Sequence, residues 1–112
     1  MNWLALNQLS QVEEIIVESK LSPIIIFKHS TRCSISQMSL SRFERKWNNE
    51  TIKCYFLDIL SFRSISNFLA EKLEIIHESP QVLVIKNGNC VYHDSHNGID
   101  ALALQEVVEQ FQ

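Results

Sequence analysis

The run Ile24-Ile25-Ile26-Phe27, set between Pro23 and the polar stretch Lys28-His29-Ser30, constrains this chain more than any other segment. A short series of β-branched and aromatic residues with no polar alternation reads as a strand buried on both faces. Such a strand needs an apolar layer above it and another below. The rest of the chain supplies both as amphipathic helices.

Ser10 and Glu13 have capping-box spacing, and Val12, Ile15 and Ile16 follow as an apolar stripe, which predicts a helix over about residues 10 to 20. From Ser34 to about Trp47, the residues Ile35, Met38, Phe43 and Trp47 recur near helical spacing and predict a second helix beginning beside Cys33. IKCYFLD, residues 52 to 58, reads as a second strand. Phe62, Ile65, Phe68, Leu69 and Leu73 form the next helical stripe, with Ser61 as its expected cap. Val82 to Lys86 and Asn89 to Asp94 are extended segments joined by Asn87-Gly88, a strong hairpin signal because both positions tolerate positive φ. Leu104, Val107, Val108 and Phe111 close the chain with a last helix.

The expected order is αβαβαββα, a mixed four-stranded sheet with helices on both faces, and residues 1–112 form a single domain in this reading. This α/β order is that of thioredoxin-like domains. A net charge of −3 offers no basic field for nucleic acid or an anionic membrane. Three cysteines without paired spacing read neither as a secreted disulfide framework nor as structural zinc. The first twenty residues carry Glu13, Glu14 and Glu18 and no long apolar run, so a cytoplasmic, reducing location is expected.

HSTRCSIS, residues 29 to 36, sets Cys33 at a strand-to-helix junction and puts Ser36 where a dithiol enzyme keeps a second cysteine. Free backbone N–H groups and the helix dipole at such a junction favour a thiolate, and Lys28, His29 and Arg32 add positive potential. Lowering a thiol's pKa raises the thiolate fraction but reduces its nucleophilicity by nearly as much; the gain is in leaving-group ability. That suits a sulfur that accepts a thiol adduct and hands it on. Ser36 is either a hydrogen-bond donor to the thiolate or a serine simply tolerated in a first helical turn, and it cannot form a disulfide.

Cys54 is expected about four residues before the end of its strand, roughly 13 Å from that pole at about 3.3 Å per residue. A disulfide needs a Cα separation under about 7 Å. Cys90 follows the hairpin turn and belongs at the far end of the sheet. The resolving thiol is therefore expected from outside the chain. Pro80 precedes a strand, where an X-Pro bond adopts either isomer, trans being commoner. Gly98 and Asp100 introduce the last helix, as an anchor for an acidic small molecule or as an ordinary turn with an N-cap. Lys28 and Arg32 are candidate partners for carboxylates or plain surface charges. The spacing of His29, His77, His93 and His96 does not make a zinc set, and His77 is expected to support the Glu78-Ser79-Pro80 loop.

HSTRCSIS, HESPQVLVIKNG and SHNGID together resemble the YtxJ family of bacillithiol-system proteins, the monothiol bacilliredoxins, over nearly the whole chain. The usual family motif is T-C-P-I-S, and Ser34 stands here in place of its proline. The resemblance implies a thioredoxin-like oxidoreductase of the oxidative-stress response. Cys33 would remove bacillithiol, as co-substrate and with no tightly bound cofactor, from S-thiolated client proteins. It also implies that Pro80 is cis and faces Cys33, with the Ser79 backbone available to an incoming disulfide segment, and that a small thiol or a reductase regenerates Cys33. Two other readings stay open: an iron–sulfur carrier of the monothiol glutaredoxin type, and a thioredoxin-fold binding module without catalysis.

Overall fold

A computed structural model describes all 112 residues. The strands are β1 (Trp3–Ala5), β2 (Ile24–His29), β3 (Cys54–Asp58), β4 (Gln81–Lys86) and β5 (Asn89–Ser95). The helices are α1 (Ser10–Glu18), α2 (Ser34–Lys46), α3 (Arg63–Leu73) and α4 (Ala101–Phe111), with a 3₁₀ turn at His96–Gly98. One mixed sheet runs in the order β1-β3-β2-β4-β5. β1, β3 and β2 are parallel, while β4 and β5 run antiparallel to their neighbours.

All six residues of β2 are buried, as its unbroken apolar run requires at the centre of a covered sheet. Its side chains alternate between two cores. Ile24 and Ile26 pack with Val12 and Ile15 of α1 and Ile65 and Leu69 of α3, whereas Ile25 and Phe27 pack with Phe43 of α2 and Leu104 and Val108 of α4. Helices therefore cover both faces. No helix is long and apolar enough to cross a membrane.

The sheet has five strands rather than the four expected, because β1 is only three residues long and gives no periodic signal. Aromatic contacts hold it in place: the Trp3 ring centroid lies 5.8 Å from Phe27, 6.1 Å from Phe43 and 6.0 Å from Phe56, and Nε1 donates to Glu44 at 2.7 Å. The Ser10–Glu13 capping box does not form. Leu9 is the N-cap, with helical φ and ψ, and the Gln11 side chain instead accepts from the Asn7 and Gln8 N–H groups and donates to Ala5 O. Ser61 is not the cap of α3 either. Its hydroxyl donates to Asp58 Oδ2 at 3.0 Å, Asp58 Oδ1 accepts from Leu60 N at 3.1 Å, and Phe62 holds the N-cap position.

In α2 the buried positions are Ser36, Ser39, Phe43 and then Trp47, not Ile35 and Met38, which are 57% and 67% exposed. The first turn packs against polar groups at the end of the sheet, so serines face inward and the apolar residues face solvent. The Asn87-Gly88 turn forms as expected, with φ of 54° and 76°. It is tied to the end of α1: Asn87 N donates to Ser19 O, and Gly88 N to Ser19 Oγ at 2.8 Å.

Candidate functional site

The parallel strands β2 and β3 end together, with His29 opposite Asp58. α2 and α3 begin at this pole. Cys33 is the N-cap of α2 in extended conformation, its N–H donating to Ser30 O at 3.2 Å and its carbonyl accepting from Gln37 N at 3.0 Å. Gln37 Nε2 donates to Thr31 O at 2.9 Å, tying the turn before the cysteine to the helix after it. No protein acceptor takes the N–H groups of Ser34, Ile35 and Ser36, the usual state of a first helical turn. The Cys33 side chain is half-buried and free.

Ser36 is completely buried, and its hydroxyl does not serve the cysteine. It lies 2.6 Å from His29 Nδ1 and accepts from Ser30 N at 3.1 Å, which replaces the hydrogen bond to the thiolate expected from sequence. His29 is 3% exposed, and burial lowers its pKa below the usual imidazole value, with Asp58 and Glu44 pulling the other way.

β4 enters the sheet at Gln81, opposite Lys28, so the loop before it lies at the same pole. The Ser79-Pro80 peptide in that loop is cis. Pro80 is buried and its carbonyl accepts from His96 N at 2.9 Å, while neither backbone polar group of Ser79 is taken by another protein group. The Ser79 hydroxyl is also buried without a partner. The Gln81 side chain braces the loop by donating to Ile76 O at 3.0 Å, and Ser95 Oγ donates to Glu78 Oε2.

Lys28 does not stand on the surface as a carboxylate partner. It is fully buried on the α1/α3 side of the sheet, because β2 alternation sends it the same way as Ile24 and Ile26. Its Nζ lies 3.2 Å from His77 Nδ1; Ser66 Oγ approaches the same nitrogen at 3.1 Å, and Arg63 approaches His77 Nε2 at 3.1 Å. Burial lowers the Lys28 pKa to about 8. His77 thus links the loop ahead of Pro80 to α3 and β2. Arg32 is exposed and forms no ion pair.

Asp100 is the N-cap of α4, its side chain accepting from Leu102 N at 3.0 Å. Gly98 is needed for space, not for positive φ: a Cβ there would stand 2.2 Å from Asp94 Oδ1. The remaining thiols lie at the other pole. Cys54 opens β3 opposite Ile25, and burial pushes its pKa up to about 12; Cys90 pairs with Ile85, itself opposite Ile24, and burial raises its pKa as well. No group of three or more His, Cys, Asp or Glu side chains is gathered as a metal site would be.

Sequence reasoning missed the His29–Ser36 pair and the Lys28–His77–Arg63 cluster. Their members are far apart in sequence or belong to different elements, so only the register of the sheet ends brings them together.

The family of monothiol bacilliredoxin BrxC matches residues 4–104. A solved thioredoxin-fold protein, described as a candidate oxidoreductase, superposes with a TM-score of 0.80 at 29% identity, over 92% of this chain and 90% of that one. The thioredoxin Mala s 13 of Malassezia sympodialis gives 0.73 at 17% identity, over 97% and 90%. Fasciola hepatica thioredoxin gives 0.70 at 17%, over 96% and 98%. At such identities the two thioredoxins speak for the fold alone. The family match over most of the chain, together with a lone half-buried cysteine at the start of α2, settles the kinship: the chain belongs to the monothiol bacilliredoxin family, whose chemistry is thiol–disulfide redox exchange on a thioredoxin-like fold.

Proposed function

We propose that the protein removes bacillithiol, or a small thiol of the same class, from mixed disulfides on client proteins through Cys33. The single observation that carries this reading is the isolation of an accessible sulfur: Cys33 caps α2 with Ser36 one turn on, while Cys54 opens β3 and Cys90 follows the hairpin turn, both at the opposite pole. The Cys33 thiolate attacks the small-thiol sulfur of the mixed disulfide, the client leaves as its thiolate, and the adduct passes to Cys33. No internal thiol can displace it. A second small thiol or a reductase attacks the adduct and releases Cys33 as the leaving thiolate.

The client approaches over Ile35 and Met38 on α2, whose apolar side chains stand in solvent beside the cysteine, and pairs its backbone with the free polar groups of Ser79 next to Pro80. The acidic part of the small thiol lies toward the start of α4. A groove of about 340 Å³ there is lined by Asn97, Asp100, Arg42 and Lys46, the two cations lying nine and thirteen residues along the chain from Cys33, while Arg32 stands exposed next to the cysteine itself. Such exchange belongs in a reducing, cytoplasmic setting.

The test is incubation of wild type and Cys33→Ser with a bacillithiolated test protein. Wild type should release the client thiol and gain one bacillithiol in mass, and Cys33→Ser should do neither. Equal release by both proteins rejects the reading.

A further inference from the structure

Ser36 and His29 meet in a buried pocket of polar groups just behind the cysteine, and the protons there can be counted. A serine hydroxyl has one proton to give and two lone pairs to receive. Ser30 N–H fills one lone pair at 3.1 Å, and His29 Nδ1 faces the same oxygen at 2.6 Å. Ser36 is 0% and His29 3% exposed, so water does not readily substitute for a missing partner. While Nδ1 is bare, the hydroxyl proton goes to His29 and none is left for the sulfur. When Nδ1 carries a proton, as in the other neutral tautomer or the imidazolium, it fills the second lone pair and the hydroxyl proton is released. Cys33 caps the same helix three positions before Ser36, and no hydrogen bond joins the two while His29 holds the hydroxyl.

We propose that His29 is a positioning residue that sets the direction of the Ser36 hydroxyl, and thereby whether the Cys33 sulfur receives a side-chain hydrogen bond. Asp58 at the end of β3 and Glu44 of α2 favour a proton on the imidazole; burial opposes a charge, and the Phe56 ring packs at 5.3 Å. A Cys33 thiolate selects the form with Nδ1 protonated. A Cys33 mixed disulfide, which accepts hydrogen bonds poorly, selects the form with Nδ1 bare, the ring exchanging its proton with solvent. The inference rests on Cys33 being the exchanging sulfur, but it is read without any thiol substrate.

The experiment follows iodoacetamide alkylation of Cys33 against pH by mass spectrometry in wild type, His29→Phe, Ser36→Ala and the double variant. His29→Phe removes Nδ1 and keeps a ring against Phe56. In wild type the thiolate must first draw a proton onto Nδ1, a cost His29→Phe removes, so the variant should move the alkylation midpoint down by up to about one pH unit, and adding Ser36→Ala should abolish that shift. An unmoved midpoint, or a shift that survives in the double variant, overturns the proposal. Wild-type protein supplies a second reading that no folding defect affects: ¹⁵N NMR should find His29 Nδ1 bare in the thiol form and protonated in the thiolate form. The same state in both forms also overturns it. Failure of exchange with thiolated substrates, alongside these results, would reject the function and leave the His29 assignment standing.

Discussion

Lys28 Nζ lies 3.2 Å from His77 Nδ1 and is sealed from solvent, so an ordinarily charged side chain has been folded into the α1/α3 core with an imidazole as its partner. Burial is the largest cause lowering its pKa from 10.5 to about 8, with Arg63 adding to the effect and Cys90 opposing it. Between those two values the unfolded chain holds a proton at Lys28 that the folded chain does not, so this group makes stability rise with pH across the window. Lys28→Met should therefore gain on wild type by at most about 3 kcal/mol below pH 8, less whatever the lost His77 contact costs. The difference should move in favour of wild type as pH climbs from 8 to 10.5. Urea unfolding at pH 7 and pH 10 checks this, and an identical difference at both values removes Lys28 as the cause.

Thiol reactivity should divide by position. With burial pushing the Cys54 thiol up to about 12, brief iodoacetamide treatment of folded protein should label Cys33 at least tenfold faster than Cys54. Peptide mass mapping reads this directly. Comparable rates at the two residues would mean that Cys54 is not buried at the start of β3 as described.

Restoring the second sulfur should convert the protein to a dithiol. Ser36→Cys places a thiol one helical turn from Cys33 and should yield, on mild oxidation, a monomer lighter by two hydrogens. The change also removes the hydroxyl that serves Ser30 N and His29, at a cost of about 1 to 3 kcal/mol. A variant that remains a free dithiol under oxidant would contradict the placement of Cys33 at the mouth of α2.

The hairpin anchor can be probed separately from the redox pole. Ser19→Ala removes the acceptor of Gly88 N and the donor to Ile16 O in a fully buried position, and should cost about 1 to 3 kcal/mol in thermal or urea unfolding. The rate of Cys33 alkylation should stay unchanged, since the hairpin turn lies at the other end of the sheet. A slowed rate would show that the two poles are coupled.

The parts of the fold with strong periodicity or distinctive turn chemistry were legible in the sequence: the buried β2, the Asn87-Gly88 hairpin, and helices on both faces. β1 was not, because its position depends on Trp3 reaching Phe27, Phe43 and Phe56, contacts between distant residues. The remote placement of Cys54 and Cys90 followed from strand length and turn position and holds in the structure. The partners of Lys28 and Ser36 did not follow. A helix start made Ser36 look available to Cys33, but the end of β2 offered it His29 and Ser30 at close range. The charge of Lys28 argued for solvent, while its place in the strand alternation sent it inward.

The separation of the three cysteines gives the molecule a fixed capacity. Under the proposed function, each copy would store one equivalent of small thiol, and the next client would wait until an outside donor emptied it. Throughput in the cell would then follow the supply of that donor and the copy number of the protein, and sulfonation of one atom would retire the whole molecule.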